Sequence, residues 1–204
     1  MCIRVRKNDL VAEIMHAGAH GHRGHYGDYT SFVPLIGAGE EAAACHMTWN
    51  DEPLKNNEGM FLELGGAYAR YHCPCSRTLY LGKPPQQYLD IEKVINECIE
   101  NAIKMFKPGN TCAQISDNFT ATLKKHGYEK NNRCGYPIGC SYPPDWVERT
   151  MSLRGTDQTV LEENMTFHFM PAIWFNDWGF EMTESIRVAQ SGGECLSSAA
   201  CYTH

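Results

Sequence analysis

The sequence lacks a run of about 18 apolar residues, the length that a helix needs to cross a membrane. Its opening segment, MCIRVRKNDLV, also lacks the apolar core of a secretory leader. Basic residues are few, with 18 Lys and Arg against 24 Asp and Glu, and they form no block that could follow a phosphate backbone. We therefore expect a soluble, cytoplasmic protein that binds neither a membrane nor nucleic acid.

The ten cysteines lack the regular spacing of a disulfide framework. Because the sequence also lacks a leader, reduced thiols are favoured over disulfides. Only Cys73 and Cys75 lie close together, and a single intervening residue is not the spacing of a zinc knuckle. We interpret the segment HCPC, which includes His72, as a turn between strands, and a soft metal site there is the open alternative.

The composition that remains is typical of one globular domain spanning residues 1–204, with 43% hydrophobic and 21% charged residues. Helical periodicity predicts a short first helix over Asp9–Ala17 and a long second helix over Gln86–Phe106. Thr111 and Gln114 have the spacing of a capping box, which predicts the start of a third helix.

Strand patterns alternate with these helices. The sequence predicts a strand over Tyr29–Ile36, a hairpin over Met60–Tyr80 and a second hairpin around a turn at Asn176 and Asp177. A long loop rich in Pro, Gly and aromatic residues precedes the second hairpin, and loops of this kind are usually functional. We expect the tail, residues 192–204, to be irregular.

The two halves of the chain repeat one plan. Helices begin at Asp9 and Thr111, which are 102 residues apart, and hairpins begin at Gly59 and Asn164, which are 105 residues apart. This repeat predicts an α+β domain with internal pseudo-two-fold symmetry. Its halves, each a helix plus an antiparallel hairpin, would surround a central cleft.

A lone carboxylate, Glu63, interrupts the apolar first hairpin. Burying a carboxylate is costly unless a cation meets it. The duplication would place Glu184 of the second hairpin opposite Glu63 across the shared cleft. The simpler alternative is that both are ordinary strand carboxylates that pair with Arg77 or Arg187.

The order of elements, the pair Arg77-Thr78 and the pair Thr183-Glu184 resemble the pita-bread domain of the creatinase, aminopeptidase P and methionine aminopeptidase superfamily. Within it, the chain is most similar to the ectoine hydrolases, over about residues 8–196. The segments that carry this resemblance are DLVAEI, CHMTWNDEP, RYHCPCSRT, SYPPDWVERTMSLR and MTFHFM. The resemblance implies a homodimer and an additional N-terminal domain, so we interpret this chain as the catalytic domain alone.

Peptidases of this superfamily hold two metal ions with two Asp, one His and two Glu. The resemblance carries those positions to Glu63, Pro74, Tyr136, Met170 and Glu184. Proline has no ligand atom and methionine is a soft ligand, so a dinuclear site for hard divalent ions is incomplete. We therefore predict no catalytic metal and no other cofactor, which counts against a metallopeptidase.

Two carboxylates without a metal favour a cationic substrate, because a planar amidinium can pair edge-on with carboxylates. The resemblance implies ectoine, a small zwitterionic cyclic amidine, whose ring would be opened by hydrolysis. Glu63 and Glu184 are the predicted catalytic carboxylates, and His46 would pass a proton to the departing nitrogen. The predicted substrate-binding residues are Arg149, Arg154, Tyr136, Trp146 and Trp174.

Three other functions stay open at this point. A creatinase-like enzyme would act on a guanidinium that also carries a carboxylate, which matches the same charges. A metal-dependent Xaa-Pro aminopeptidase would keep the chemistry of the wider superfamily. A domain that binds its substrate without turnover is the non-enzymatic alternative.

Overall fold

The computed structural model describes residues 5–198 of the chain. Its helices are α1 (Lys7–His20), α2 (Gln86–Met105) and α3 (Cys112–Lys125), with a 3-10 turn at Gly39–Ala43. The strands are β1 (Leu35–Ala38), β2 (Gly59–Tyr68), β3 (Tyr71–Tyr80), β4 (Gly135–Pro137), β5 (Thr166–Phe169), β6 (Ala172–Trp174), β7 (Gly179–Glu181), β8 (Glu184–Arg187) and β9 (Glu194–Cys195). They form sheets in the orders β1-β2-β3, β4-β5-β8-β9 and β6-β7.

The helices follow their local signals, with one correction. The capping box of α3 is confirmed, because Gln114 N donates to the Thr111 hydroxyl at 3.2 Å and Thr111 N donates to the Gln114 side chain at 2.8 Å. Helix α2 is confirmed over nearly its predicted length. Helix α1 continues past the predicted Asp9–Ala17 to His20, because the chain first adopts a positive φ at Gly21, where φ is 74°.

The first hairpin is confirmed, with β2 and β3 paired along their whole lengths. Ala69 and Arg70 join them, and both have positive φ, as a tight two-residue hairpin turn requires. The strand predicted over Tyr29–Ile36 begins later in the structure, where β1 spans Leu35–Ala38. Pro34 has no N–H for the ladder, and the carbonyl of Tyr29 accepts a hydrogen bond from the Arg70 guanidinium.

The second hairpin is present but broken into two parts. Phe169 lies opposite Glu184 in the β5–β8 part, and Ala172 lies opposite Glu181 in the β6–β7 part, so both parts share one register. The pairing stops between them because Pro171 cannot donate to a ladder. The predicted turn is confirmed between the ends of β6 and β7.

The tail differs from the expected irregular segment. Strand β9 pairs with β8, and the Arg187 guanidinium donates to the Glu194 carboxylate at 2.6 Å across that pair. Opposite charges facing each other across strands stabilise a short pairing of this kind. Residues 199–204 of the predicted tail lie outside the described residues.

The predicted duplication is confirmed by the topology. In each half, a helix is followed by a strand that pairs with the first strand of a hairpin, namely α1 before β1-β2-β3 and α3 before β4-β5-β8. The offset of 105 between the hairpins carries Glu63 to His168. Glu63 lies opposite Leu35 of β1 in the first half, and His168 lies opposite Tyr136 of β4 in the second half. The two residues therefore occupy equivalent positions.

The two halves meet where β3 lies beside the start of β8. Thr183 N donates to Ser76 O at 3.1 Å, and the Ser185 hydroxyl donates to Pro74 O at 2.6 Å. These contacts hold the two hairpins side by side and fix the walls of the space between them.

The largest apolar core lies between the helix pair α2–α3 and the second sheet. Its fully buried members include Ile91, Ile95, Phe119, Phe167 and Phe169. Between residues 5 and 198, no helix is long and apolar enough to cross a membrane. The cysteines in that range form no disulfide with one another.

Candidate active site

A cavity of about 340 Å³ lies at the cleft predicted from the duplication. Glu63 of the first hairpin and Glu181 of the second hairpin both line it. The irregular loop before β5 contributes Asp145 and Trp146 to the same wall. Both halves of the fold and the loop therefore supply polar groups to one cavity.

Glu63 is nearly enclosed, with 5% of the residue exposed. Its Oε1 lies 3.9 Å from Nδ1 of His168, which is fully buried. Burial lowers the pKa of His168 to about 3, and the charges of Lys130 and Arg133 lower it further. His168 is therefore neutral near pH 7 and supplies no counter-charge to Glu63.

Glu181 is the second carboxylate of the cavity, and 2% of the residue is exposed. Its backbone is fixed by Thr78, whose hydroxyl accepts from Glu181 N at 2.8 Å and donates to Glu181 O at 2.9 Å. One carboxylate oxygen is hydrogen-bonded by Ser76, whereas the buried Oε2 has no hydrogen-bond partner among residues 5–198. A buried acceptor left in this state favours a ligand that brings a donor.

The two carboxylates perturb each other. Burial raises the pKa of Glu63 well above its usual range, and the charge of Glu181 raises it further. Burial raises the pKa of Glu181 to about 7, although Lys130 and the Ser76 hydrogen bond act in the opposite direction. We call Glu63 and Glu181 the carboxylate pair, and it retains a proton near neutral pH.

Lys130 is a cation of the cavity that was not predicted. Its Nζ donates to Met170 O at 2.8 Å and lies 5.1 Å from the centroid of the Trp174 ring. Burial lowers the pKa of Lys130 to about 8, while the charges of Glu181 and Glu63 raise it. The ammonium is therefore close enough to compensate part of the negative charge of the carboxylate pair.

The predicted aromatic residues do line the cavity. The indole N–H of Trp146 donates to the Tyr136 hydroxyl at 2.9 Å, and that hydroxyl lies 2.9 Å from Nδ1 of His168. A Cβ on Gly65 would lie 3.0 Å from the Trp146 ring, so a larger residue there would require the indole to shift by a few tenths of an ångström. Trp174 lines the cavity from the second hairpin.

The two predicted arginines occupy different places. Arg149 lines the cavity, but its side chain is 77% exposed and it pairs with Asp145 at 2.6 Å. Arg154 is exposed and is not among the residues that line the cavity. A third arginine, Arg133, does line the cavity, with its guanidinium 4.6 Å from the centroid of the Tyr136 ring.

Glu184 is not among the residues that line the cavity. It is 1% exposed, and its carboxylate accepts a hydrogen bond from the Arg77 guanidinium in a buried ion pair. Glu181 and Glu184 are three residues apart, and successive side chains of a strand point to opposite faces, so the two carboxylates face different ways. The predicted partner of Glu63 is thus corrected to Glu181, and Glu184 follows the alternative of a pair with Arg77.

His46 lies at the cavity as an exposed residue, with its ring centroid 5.9 Å from that of Phe32. Its role in proton transfer stays a prediction. The HCPC segment was predicted as a turn, but it lies within strand β3 and pairs with β2. Nε2 of His72 accepts from Ser31 N at 2.9 Å, and Nδ1 donates to Arg70 O at 2.9 Å. Both ring nitrogens are occupied by the backbone, which argues against the soft metal site.

The donor set can be compared with the metal site that the resemblance implies. Glu184 is held by an ion pair with an arginine, and the carbonyl of Met170 accepts from the Lys130 ammonium. Within the described part of the chain, no group of three or more His, Cys, Asp or Glu side chains could hold a metal ion. These residues do not fit a dinuclear metal centre.

Known sequences resemble the chain over almost all of its length. It is 49% identical to the ectoine hydrolase of Halomonas elongata, covering 94% of this chain and 49% of that protein. It is 39% identical to the uncharacterized hydrolase/peptidase y4tM of Sinorhizobium fredii, covering 95% of this chain and 50% of that protein. The chain thus spans about half the length of these curated relatives.

Solved structures share the fold at lower identity. The X-Pro aminopeptidase from Thermotoga maritima superposes with a TM-score of 0.87 at 18% identity, covering 99% of this chain and 56% of that one. The prolidase from Pyrococcus furiosus superposes with a TM-score of 0.86 at 20% identity, covering 98% of this chain and 58% of that one. These likenesses confirm the pita-bread fold. Because the family model of metallopeptidase family M24 matches residues 3–190, the chain belongs to that family.

Proposed function

We propose that the chain carries the catalytic site of a hydrolase that opens the cyclic amidine ring of ectoine. The observation that carries this proposal is the carboxylate pair, in which two buried glutamates share one cavity and Glu181 Oε2 has no donor among the described residues. The similarity to an ectoine hydrolase supports the choice of substrate.

The charges of the cavity suit a zwitterionic amidine. An amidinium presents two parallel N–H groups and one delocalised positive charge, which matches the carboxylate pair with Lys130 already present. Tyr136, Trp146 and Trp174 supply aromatic surface for a flat cation. The substrate's own carboxylate requires a cation, and the arginines at the cavity can supply one.

The reaction needs one water and one proton transfer. In our proposal, Glu181 Oε2 accepts an N–H of the amidinium and fixes the N–C–N plane. Glu63 is the base or nucleophile in this proposal, because burial and then the charge of Glu181 raise its pKa. Glu63 activates a water that adds to the amidine carbon, or it attacks that carbon itself and a water then cleaves the resulting ester-like bond and frees the carboxylate. One water is consumed in either case. One ring C–N bond breaks, His46 or Lys130 protonates the departing nitrogen, and the product is an N-acetylated diaminobutyrate.

The donor set supports a hydrolysis that does not use a metal, and we propose this for the chain. We expect its activity to be unchanged by prolonged dialysis against a chelator, because Lys130 supplies the cation at the carboxylate pair. Rates before and after dialysis, together with metal analysis of the same samples, test this. Loss of activity on dialysis and its recovery with Mn²⁺ or Zn²⁺ would contradict the proposal.

The substrate is tested by incubating the chain separately with ectoine and with creatine and following each by chromatography. We expect loss of ectoine and formation of the N-acetylated product, with creatine unchanged. Consumption of creatine alone would instead assign a creatinase-like function. Since the relatives are about twice as long, binding of each compound is measured in parallel by calorimetry, so that a site without turnover is recognised.

Amidinium binding should tighten as the pH rises from about 6 to about 8. The folded pKa of Glu181, about 7, lies above the usual carboxylate value, so the free pair keeps a proton at the lower pH. An amidinium binds the fully ionised carboxylate pair more tightly, so its binding must displace that proton. The free energy of removing the proton is no longer required above the pKa of Glu181. Calorimetry in two buffers with different ionisation enthalpies should show proton release, and Glu181→Gln should reduce it. Affinity that is independent of pH would contradict this charge assignment.

A further inference from the structure

Arg133 has donors that nothing in the described chain accepts. Its guanidinium is partly buried and lines the cavity, yet across residues 5–198 it forms no hydrogen bond and no ion pair. Arginine carries five N–H donors in a rigid planar fork, which matches the geometry of a carboxylate. An unpaired arginine in a cavity wall therefore indicates an anion that comes from outside the chain.

The guanidinium is held in place without using its donors. Its plane is near the Tyr136 ring, with 4.6 Å between Cζ and the ring centroid. The next residue, Cys134, is fixed on both sides, because its N–H donates to Leu153 O at 3.0 Å and its carbonyl accepts from Met170 N at 2.7 Å. Stacking on an aromatic face leaves the edge of the guanidinium available for a planar acceptor.

The surroundings of Arg133 also favour an anion. Burial lowers the pKa of Arg133, and the like charges of Arg154 and Arg149 lower it further. Asp145 is the nearby carboxylate, and it is already engaged by Arg149 at 2.6 Å. A carboxylate bound here would relieve repulsion among three guanidinium groups.

We propose that Arg133 binds the carboxylate of a zwitterionic substrate whose amidinium lies on the carboxylate pair. The cavity would then select ligands with a positive group at one end and a carboxylate at the other. Arg133 is a specificity-determining residue in this assignment, in place of the more exposed Arg149 and Arg154. The ligand class rests on the proposed function, whereas the anion site rests on Arg133 itself.

The experiment compares two ligands, ectoine and the same cyclic amidine without its carboxylate. Calorimetry on the full chain should show that Arg133→Met weakens ectoine binding at least about tenfold, which is the scale of a lost charged hydrogen bond. The variant should leave affinity for the decarboxylated amidine within about twofold. Arg133→Lys should lie between, because lysine keeps the charge but loses the planar fork. Lys124→Met, which removes an exposed cation on α3, is the matched control and should change neither affinity.

A second measurement separates the anion site from the proposed function. The side-chain Nε–H resonance of Arg133, assigned by its loss in Arg133→Met, is followed while acetate is added to the wild-type chain. If the resonance shifts with acetate although the chain binds neither amidine, Arg133 is an anion site and the assignment of ectoine as the substrate is refuted. Two results would overturn the role of Arg133. One is that Arg133→Met weakens the binding of ectoine and of the decarboxylated amidine equally. The other is that the Nε–H resonance of Arg133 responds neither to ectoine nor to acetate.

Discussion

Glu63→Gln is expected to lower kcat/KM for ectoine by at least about 1,000-fold, the scale of losing a nucleophile or base. Glutamine has nearly the same shape, so it fills the same position on β2, but it cannot ionise or attack. Glu63 is almost fully buried, and burial raises its pKa because ionising it there costs free energy that a glutamine avoids. We therefore expect the free energy of unfolding to be unchanged or higher.

The test measures ectoine turnover and thermal unfolding of the same preparations. Glu63→Asp, which keeps a shorter carboxylate, should retain more activity than Glu63→Gln. Glu13→Gln on the exposed face of α1 is the control for removing one negative charge and should match the parent. Equal rates for the parent and Glu63→Gln would refute the proposed mechanism.

Glu184→Gln is expected to act mainly on stability, with a loss of about 3–5 kcal/mol in the free energy of unfolding. The substitution removes the negative charge of Glu184, which is 1% exposed, from its buried ion pair with the Arg77 guanidinium. The Arg77 guanidinium also donates to the carbonyls of Ser76 and Thr183, which lie at the junction of the two hairpins. Weakening this contact loosens the walls of the cavity as well.

Denaturant titration of the parent and of Glu184→Gln measures this loss. Glu194→Gln is the matched control, because it breaks the largely exposed pair with Arg187, and exposed pairs contribute little. At a temperature where the variant is folded, its turnover should fall far less than that of Glu63→Gln. A stable but inactive Glu184→Gln would instead return Glu184 to a catalytic role.

The cavity residues that were not predicted from the sequence differ in whether a sequence pattern marks them. His168 could have been found, since the 105-residue offset between the hairpins carries Glu63 to it. Glu181 is three residues from the predicted Glu184, and the alternation of side chains between the two faces of a strand places Glu181, and not Glu184, at the cavity. Lys130 and Arg133 lie in a segment without periodicity, so no pattern marked them.

The sequence by itself determined the elements and their repetition, because helix caps, turn residues and apolar periodicity act between neighbours in the chain. It also marked Glu63 as a carboxylate that needs a partner. Only the tertiary structure decided that this partner is Glu181 with Lys130, and that Glu184 belongs to Arg77. Burial, the register across two hairpins and the path of a loop set those distances, and each depends on residues far apart in sequence.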